Sequence, residues 1–205
     1  MKKGKNDIAH LTIESFEQWH VLVSACKYSK KVYDNRHCRT RNILKPSDVD
    51  VLSYFTAEAL EDAILTGRNQ LFLSSSLTDS DVICNSIITF SNDFLGVNLT
   101  GNPVILSNGA ELRFLSIDNK TMGAFSGNVY INNYFKFPHF TEMNKIVSAW
   151  SALRCYRKVY FSTKLKNEQA ELFWLGGAQT KLPAMSEVDL GTMCLDRQWR
   201  LSIKT

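Results

Sequence analysis

Short apolar runs recur along this chain of 205 residues, and stretches with helical spacing separate them. The runs are Asn42–Leu44, Gln70–Leu73, Asn128–Asn132, Lys158–Ser162 and Trp199–Ile203. Most of them are apolar along their length instead of alternating with polar residues, which fits strands covered on both faces. Between them, Ile8–Ser29 places Leu11, Phe16, Trp19, Val23 and Cys26 near helical spacing. Val51–Leu65, Thr78–Phe94 and Thr141–Leu153 are predicted helices, with Gly67 at a C-cap and Thr78 at an N-cap. Ser107-Asn108-Gly109 lies between the apolar runs Pro103–Leu106 and Ala110–Leu115 and predicts a hairpin. The expected fold is therefore α/β, a mostly parallel sheet flanked by helices with an added β-hairpin. Residues 1–35 read as an N-terminal helical segment and 36–205 as one compact unit, although the pattern weakens after Glu171 into Gly176-Gly177 and Pro183.

Composition excludes several classes of function. Hydrophobic residues make up 44% and charged residues 21%, too apolar and too evenly charged for a disordered chain. Cys26, Cys38, Cys84, Cys155 and Cys194 are scattered, and no two have the spacing of a zinc knuckle. His37 beside Cys38 is the closest pairing of metal-binding types, and no metal or other cofactor is expected. No apolar run approaches the roughly 20 residues of a membrane span, and the basic start MKKGK has no apolar stretch behind it, so a cytoplasmic protein without membrane contact is expected. The net charge of +4 is mild but uneven. Lys27 to Lys45 carries seven basic residues against Asp34, and Lys30, Lys31, Arg36, Arg39 and Arg41 are the candidates for contacts to nucleic-acid phosphates.

In a parallel α/β sheet, ligands bind at the carboxyl ends of the strands. The first such turn, Lys45-Pro46-Ser47-Asp48-Val49-Asp50, has no glycine to let backbone approach a phosphate. Pro46 removes an amide donor. Asp48 and Asp50 would repel phosphate and suit the start of the following helix. The strand Val129–Ile131 ends in Asn132 and Asn133, amides that cannot accept a proton as a general base. No GxSxG or HExxH sequence is present.

Phe55–Leu73, Leu99–Leu115, Gly127–Phe140, Asn144–Ser148 and Arg157–Thr163, in this order, resemble the ATPase domain of the large terminase subunit of temperate tailed phages of enterobacteria. The resemblance covers roughly residues 40 to 175, and Gly101–Leu115 is its most specific part. It implies a terminase-type P-loop ATPase fold. Lys45 stands at the family's basic phosphate-loop position, whereas Asp50, Val51 and Leu52 replace its Gly-small-Thr ending. Asn132 and Asn133 replace the Asp-Glu pair of the second nucleotide motif, and Phe161-Ser162-Thr163 keeps the coupling motif. The sequence ends at Thr205, about where such a domain would end, so no nuclease is expected in this polypeptide.

These departures predict a protein without ATPase activity, whose nucleotide positions Lys45, Asp50, Val51, Leu52, Asn132, Asn133, Ser162 and Thr163 are degenerate. The expected function is binding. First comes interference with a competing phage, through a terminase subunit or a single-stranded-DNA-binding replication protein. The alternatives are regulation of packaging through mixed complexes with an active terminase, self-association being in keeping with motor ancestry, and a nucleic-acid-binding module.

Overall fold

The computed structural model describes residues 6–25, 27–118, 123–176 and 198–202. Seven strands form one sheet: β1 (Thr40–Leu44), β2 (Gln70–Ser74), β3 (Val104–Ile105), β4 (Glu111–Ser116), β5 (Asn128–Asn132), β6 (Lys158–Ser162) and β7 (Gln198–Ser202). Their order is β3-β4-β2-β5-β6-β1-β7. Every pairing is parallel except β3 with β4. Among the described residues six helices accompany the sheet: α1 (Glu17–Ala25), α2 (Lys27–Asp34), α3 (Leu52–Thr66), α4 (Leu77–Leu95), α5 (Phe140–Trp150) and α6 (Glu168–Leu175).

Residue-by-residue alternation divides the strands between two cores. Ile43, Phe72, Tyr130, Val159 and Phe161 face the core shared with Phe16, Trp19, Phe55, Leu60 and Ile83 from the N-terminal segment, α3 and α4. Leu44, Leu71, Leu73, Val129, Ile131 and Tyr160 face the other core, with Phe140, Val147 and Trp150 of α5 and Ala170 of α6. Apolar side chains therefore cover both faces, which explains why the strands read as continuous apolar runs.

The expected hairpin exists but its first strand is only two residues long, and β4 continues the parallel sheet through β2. The predicted single N-terminal helix is instead a 3-10 turn (Ile13–Phe16) followed by α1 and α2. α2 reaches into the basic stretch, where Lys30 pairs with Asp34 one turn on. The cap of α4 is Ser76, whose hydroxyl accepts from the Asp79 amide at 3.1 Å, and not Thr78. α6 was not expected; it is eight residues long, and the Asn167 side chain caps it. Gly67 ends α3 at φ 71°, as its sequence position implied. Lys2, Lys3, Lys5, Gly177, Pro183, Cys26 and Cys194 lie outside the described residues.

Candidate functional site

The turn after β1, the start of α4 and the ends of β5 and β6 enclose a cavity of about 260 Å³ at the carboxyl edge of the sheet. Lys45, Asp48 and Asp50 line it from the first turn, Asp79 and Val82 from α4, and Asn132, Asn133 and Phe161 from the strand ends. The sheet builds this place directly. The Lys45 amide donates to the Ser162 carbonyl at 3.0 Å, and the Asn133 amide donates to the Phe161 carbonyl at 2.8 Å. Both turns are thereby fastened to β6.

Lys45 supplies the cation of the cavity. Partial burial lowers its pKa, while Asp50 and Asp48 pull it back up. Asp50 is committed to α3. Its Oδ1 accepts from the Leu52 amide at 2.7 Å and the Ser53 amide at 3.4 Å, and Oδ2 accepts from the Ser53 hydroxyl. A carboxylate here satisfies amides that open the helix and meets the positive end of its dipole. Asn133 adopts a left-handed φ of 55°, which asparagine tolerates better than most residues. Its Nδ2 donates to Asp79 Oδ2 at 3.3 Å, and the Ser75 hydroxyl donates to the same oxygen at 2.6 Å.

The cavity thus collects Lys45, Asp50, Leu52, Asn132 and Asn133 from the expected nucleotide positions. Val51, Ser162 and Thr163 are not among its lining residues. Val51 is buried in the α3 and α4 core. The Ser162 hydroxyl is bonded to the Phe135 amide and the Thr163 carbonyl. Asp79 is the participant that sequence reasoning missed. It reads as a helix-start acid, and only the parallel pairing of β2 with β5 brings it beside Asn133.

Two candidates for nucleic-acid contacts must be withdrawn. Arg41 has no exposed surface; it pairs with Glu58 through its two terminal guanidinium nitrogens, one at 2.8 Å. Arg39 donates to the Ser151 and Ala152 carbonyls just beyond α5, at 3.0 and 3.1 Å, and to the Tyr156 carbonyl at 3.3 Å. Both are structural. Lys30, Lys31 and Arg36 remain exposed, Lys30 paired with Asp34 and Arg36 stacked 3.8 Å over the Tyr33 ring.

The Arg41–Glu58 pair belongs to a buried network at the opposite, amino edge. Arg157 joins Glu58 and Asp62, while Asp62 Oδ2 accepts from Gln70 at 2.9 Å and Asn128 at 2.8 Å. Burial alone would raise the Glu58 pKa, but Arg41, Arg157 and the Tyr54 hydroxyl hold it below the ordinary value. A second cavity, of about 420 Å³, opens beside this network, lined in part by His20, Arg36, His37, Glu61 and Arg157. Within it His20 Nε2 lies 2.8 Å from Glu61 Oε1, and Arg157 pairs with Asp62 at 3.2 Å.

The profile described as "Terminase large subunit, T4likevirus-type, N-terminal" matches residues 53–192. The chain belongs to the terminase large-subunit family. It is 39% identical over 210 aligned residues to a protein of Haemophilus phage HP1 named "Probable terminase, ATPase subunit", covering 97% of this chain and 34% of the relative. It is 35% identical over 175 residues to the "Terminase, ATPase subunit" of Escherichia phage P2, covering 79% of this chain and 30% of that one. The terminase chain thus spans about a third of the length of these relatives. Its fold is also that of the ATPase domain of the Thermus phage P74-26 large terminase, with a TM-score of 0.58 at 12% identity over 93% of this chain and 85% of that one. The HK97 bacteriophage large terminase matches with a TM-score of 0.56 at 17% identity, over 69% of this chain and 33% of that one.

These relatives correct the expectation of a chain without ATPase activity. Both curated relatives are named as ATPase subunits, and the first alignment runs over nearly the whole terminase chain. The physical reason lies in the geometry. The turn after β1 has no glycine, yet it borders a cavity at the carboxyl edge that Lys45, Asp48 and Asp50 line. A nucleoside triphosphate bound at such a cavity would bring magnesium with it. Among the described residues no group of three or more His, Cys, Asp or Glu side chains could hold a metal ion by themselves. Magnesium needs no such cage; one or two carboxylates and the substrate phosphates hold it, with water completing the shell. The donor set of this cavity fits that mode, with Asp48 or Asp79 as the available carboxylate. No helix among the described residues is long and apolar enough to cross a membrane.

Proposed function

We propose that this chain is a nucleotide-handling module of a phage DNA-packaging machine, taking a magnesium-bound nucleoside triphosphate at the carboxyl-edge cavity. The observation that carries this reading is the convergence there of Lys45, the α4 start and the ends of β5 and β6. A cationic side chain at the carboxyl ends of parallel strands suits a polyphosphate, and carboxylates suit its metal. The names of the relatives in phages HP1 and P2 support the same assignment. Calorimetry with ATP and magnesium, paired with a phosphate-release assay, tests it. Saturable heat that weakens about ten- to a hundredfold in Lys45→Ala is expected, since a charge-assisted contact contributes about 1.5–3 kcal/mol. Absence of both heat and phosphate release above a protein-free blank rejects the reading.

A second reading concerns what the module acts upon. The alignment with the HP1 relative, 39% identical, extends over 97% of the chain, well beyond the cavity, so the surfaces by which a terminase subunit meets its neighbours are candidates for retention too. On this reading the chain engages a terminase subunit, of a competing phage or of its own, and shifts packaging by occupying a place in the assembly. A single-stranded-DNA-binding replication protein of the competitor is the other partner to try. Tagged chain should retain one of these components from infected cells, and its expression should change plating or packaging yield. Unchanged yields across a phage panel, with neither component retained, exclude it.

A further inference from the structure

The position of Asp79 extends the nucleotide reading and rests on it. Asp79 lines the carboxyl-edge cavity together with Lys45 and the strand-end asparagines. Two donors fix it, the Ser75 hydroxyl at 2.6 Å and Asn133 Nδ2 at 3.3 Å, and both use the same oxygen, Oδ2. Among the described residues no hydrogen bond engages Oδ1. The residue is half-buried, so the carboxylate is held in place without being sealed from the cavity. Asp48, the other lining carboxylate, is exposed, and among the described residues no hydrogen bond fixes it. Asp50 differs from Asp79 on each count. Both of its oxygens are engaged in closing the start of α3. Asn132 and Asn133 carry neutral amides, weak ligands for a hard divalent cation.

We propose that Asp79 is the residue that receives the divalent cation accompanying the nucleotide phosphates, with Ser75 and Asn133 as the residues that position it. A neutral amide at position 133 is what allows this. Asn133 donates to Asp79, whereas a carboxylate at the same place would repel it. The bland alternative is an acid in the first turn of α4, stabilising the helix dipole and nothing more. Cation dependence separates the two, because a helix-start acid affects stability equally with and without magnesium.

The experiment titrates the intact chain with a non-hydrolysable ATP analogue, once in magnesium and once in EDTA, and records thermal unfolding of every variant. Asp79→Asn should bind no more weakly than the parent in EDTA, because it removes a negative charge facing the phosphates, and should lose the strengthening by magnesium, a drop of about tenfold in that arm. Ser75→Ala, which keeps the carboxylate but frees it to rotate, should lose part of the strengthening and serves if Asp79→Asn does not fold. Ser76→Ala removes the α4 cap and should lower the unfolding temperature with the magnesium effect intact. Full magnesium strengthening in Asp79→Asn, or in Ser75→Ala where that variant decides, overturns the cation role and leaves the nucleotide reading standing. Absence of analogue binding by the parent in both arms overturns the nucleotide reading and the cation role with it.

Discussion

Asp50 shows how one residue fills two descriptions. It stands where a phosphate loop would close, and it serves as an internal anion on the first amides of α3. Asp50→Ala should cost about 1 kcal/mol, the usual loss when a helix-opening acceptor is removed. The same change should strengthen binding of inorganic phosphate or nucleotide, because the α3 amides become available to an outside anion. A urea melt and a phosphate titration check the two halves. Arg41 makes the opposite point. Its charge drew it into a set of surface candidates, yet it is fully buried against Glu58. Arg41→Ala leaves Glu58 in the core with Arg157 as its remaining cation beside the Tyr54 and Tyr130 hydroxyls and should cost about 3–5 kcal/mol. Lys30→Ala, which removes an exposed pair, should stay within about 0.5 kcal/mol. Urea midpoints of the two variants measured side by side decide this.

At the scale of elements, α3 joins the edges of the sheet. Its first turn borders the cavity, and its Glu58 and Asp62 tie the beginnings of β1, β2 and β5 and the approach to β6 through Arg41, Gln70, Asn128 and Arg157. The Glu58 pKa is depressed in the folded chain, since its cationic partners outweigh burial. The unfolded chain then binds this proton more readily, so the stability from this contact is complete above the ordinary carboxylate pKa. It is lost as pH falls through the depressed folded value. Unfolding temperature measured from pH 7 down to pH 3 should therefore drop on the acid side, and more shallowly in a Glu58→Gln variant than in the parent. Gly127 offers a steric test at the start of β5. A Cβ there would lie 2.3 Å from the Asn69 carbonyl oxygen, so Gly127→Ala forces backbone to move and should destabilise by about 1–3 kcal/mol or more.

At the scale of the molecule, two apolar cores enclose a mixed seven-stranded sheet, and its carboxyl edge carries the candidate site. The N-terminal segment is part of this body. Phe16 and Trp19 sit in the α3 and α4 core, with Trp19 5.7 Å from the Tyr54 ring, and Asn6 bridges to Leu106 beside β3. Trp19→Ala should therefore destabilise the whole domain by about 3–5 kcal/mol in one cooperative transition. A separate early transition, seen by comparing near- and far-ultraviolet circular dichroism, would show instead that residues 6–34 unfold on their own.

The apolar periodicity by itself determined the strands, the long helices and the α/β class, because residues buried on both sheet faces must be apolar in unbroken runs. Gly67 and the turn at Asn108-Gly109 were legible for a local reason, the backbone conformations that glycine alone enters cheaply. The family was legible in Gly101–Leu115 and the segments around it. Strand order, the partners of buried charges and the surroundings of Asp79 were decided by tertiary structure. Those depend on contacts across long separations, such as Asn133 with Asp79 and Asn128 with Asp62. Nothing local distinguishes a charge that will face water from one that will be paired inside. That is why Arg41 reads as a surface cation and Asp79 as a helix-start acid, and why the letters of the first turn did not settle what the cavity could hold.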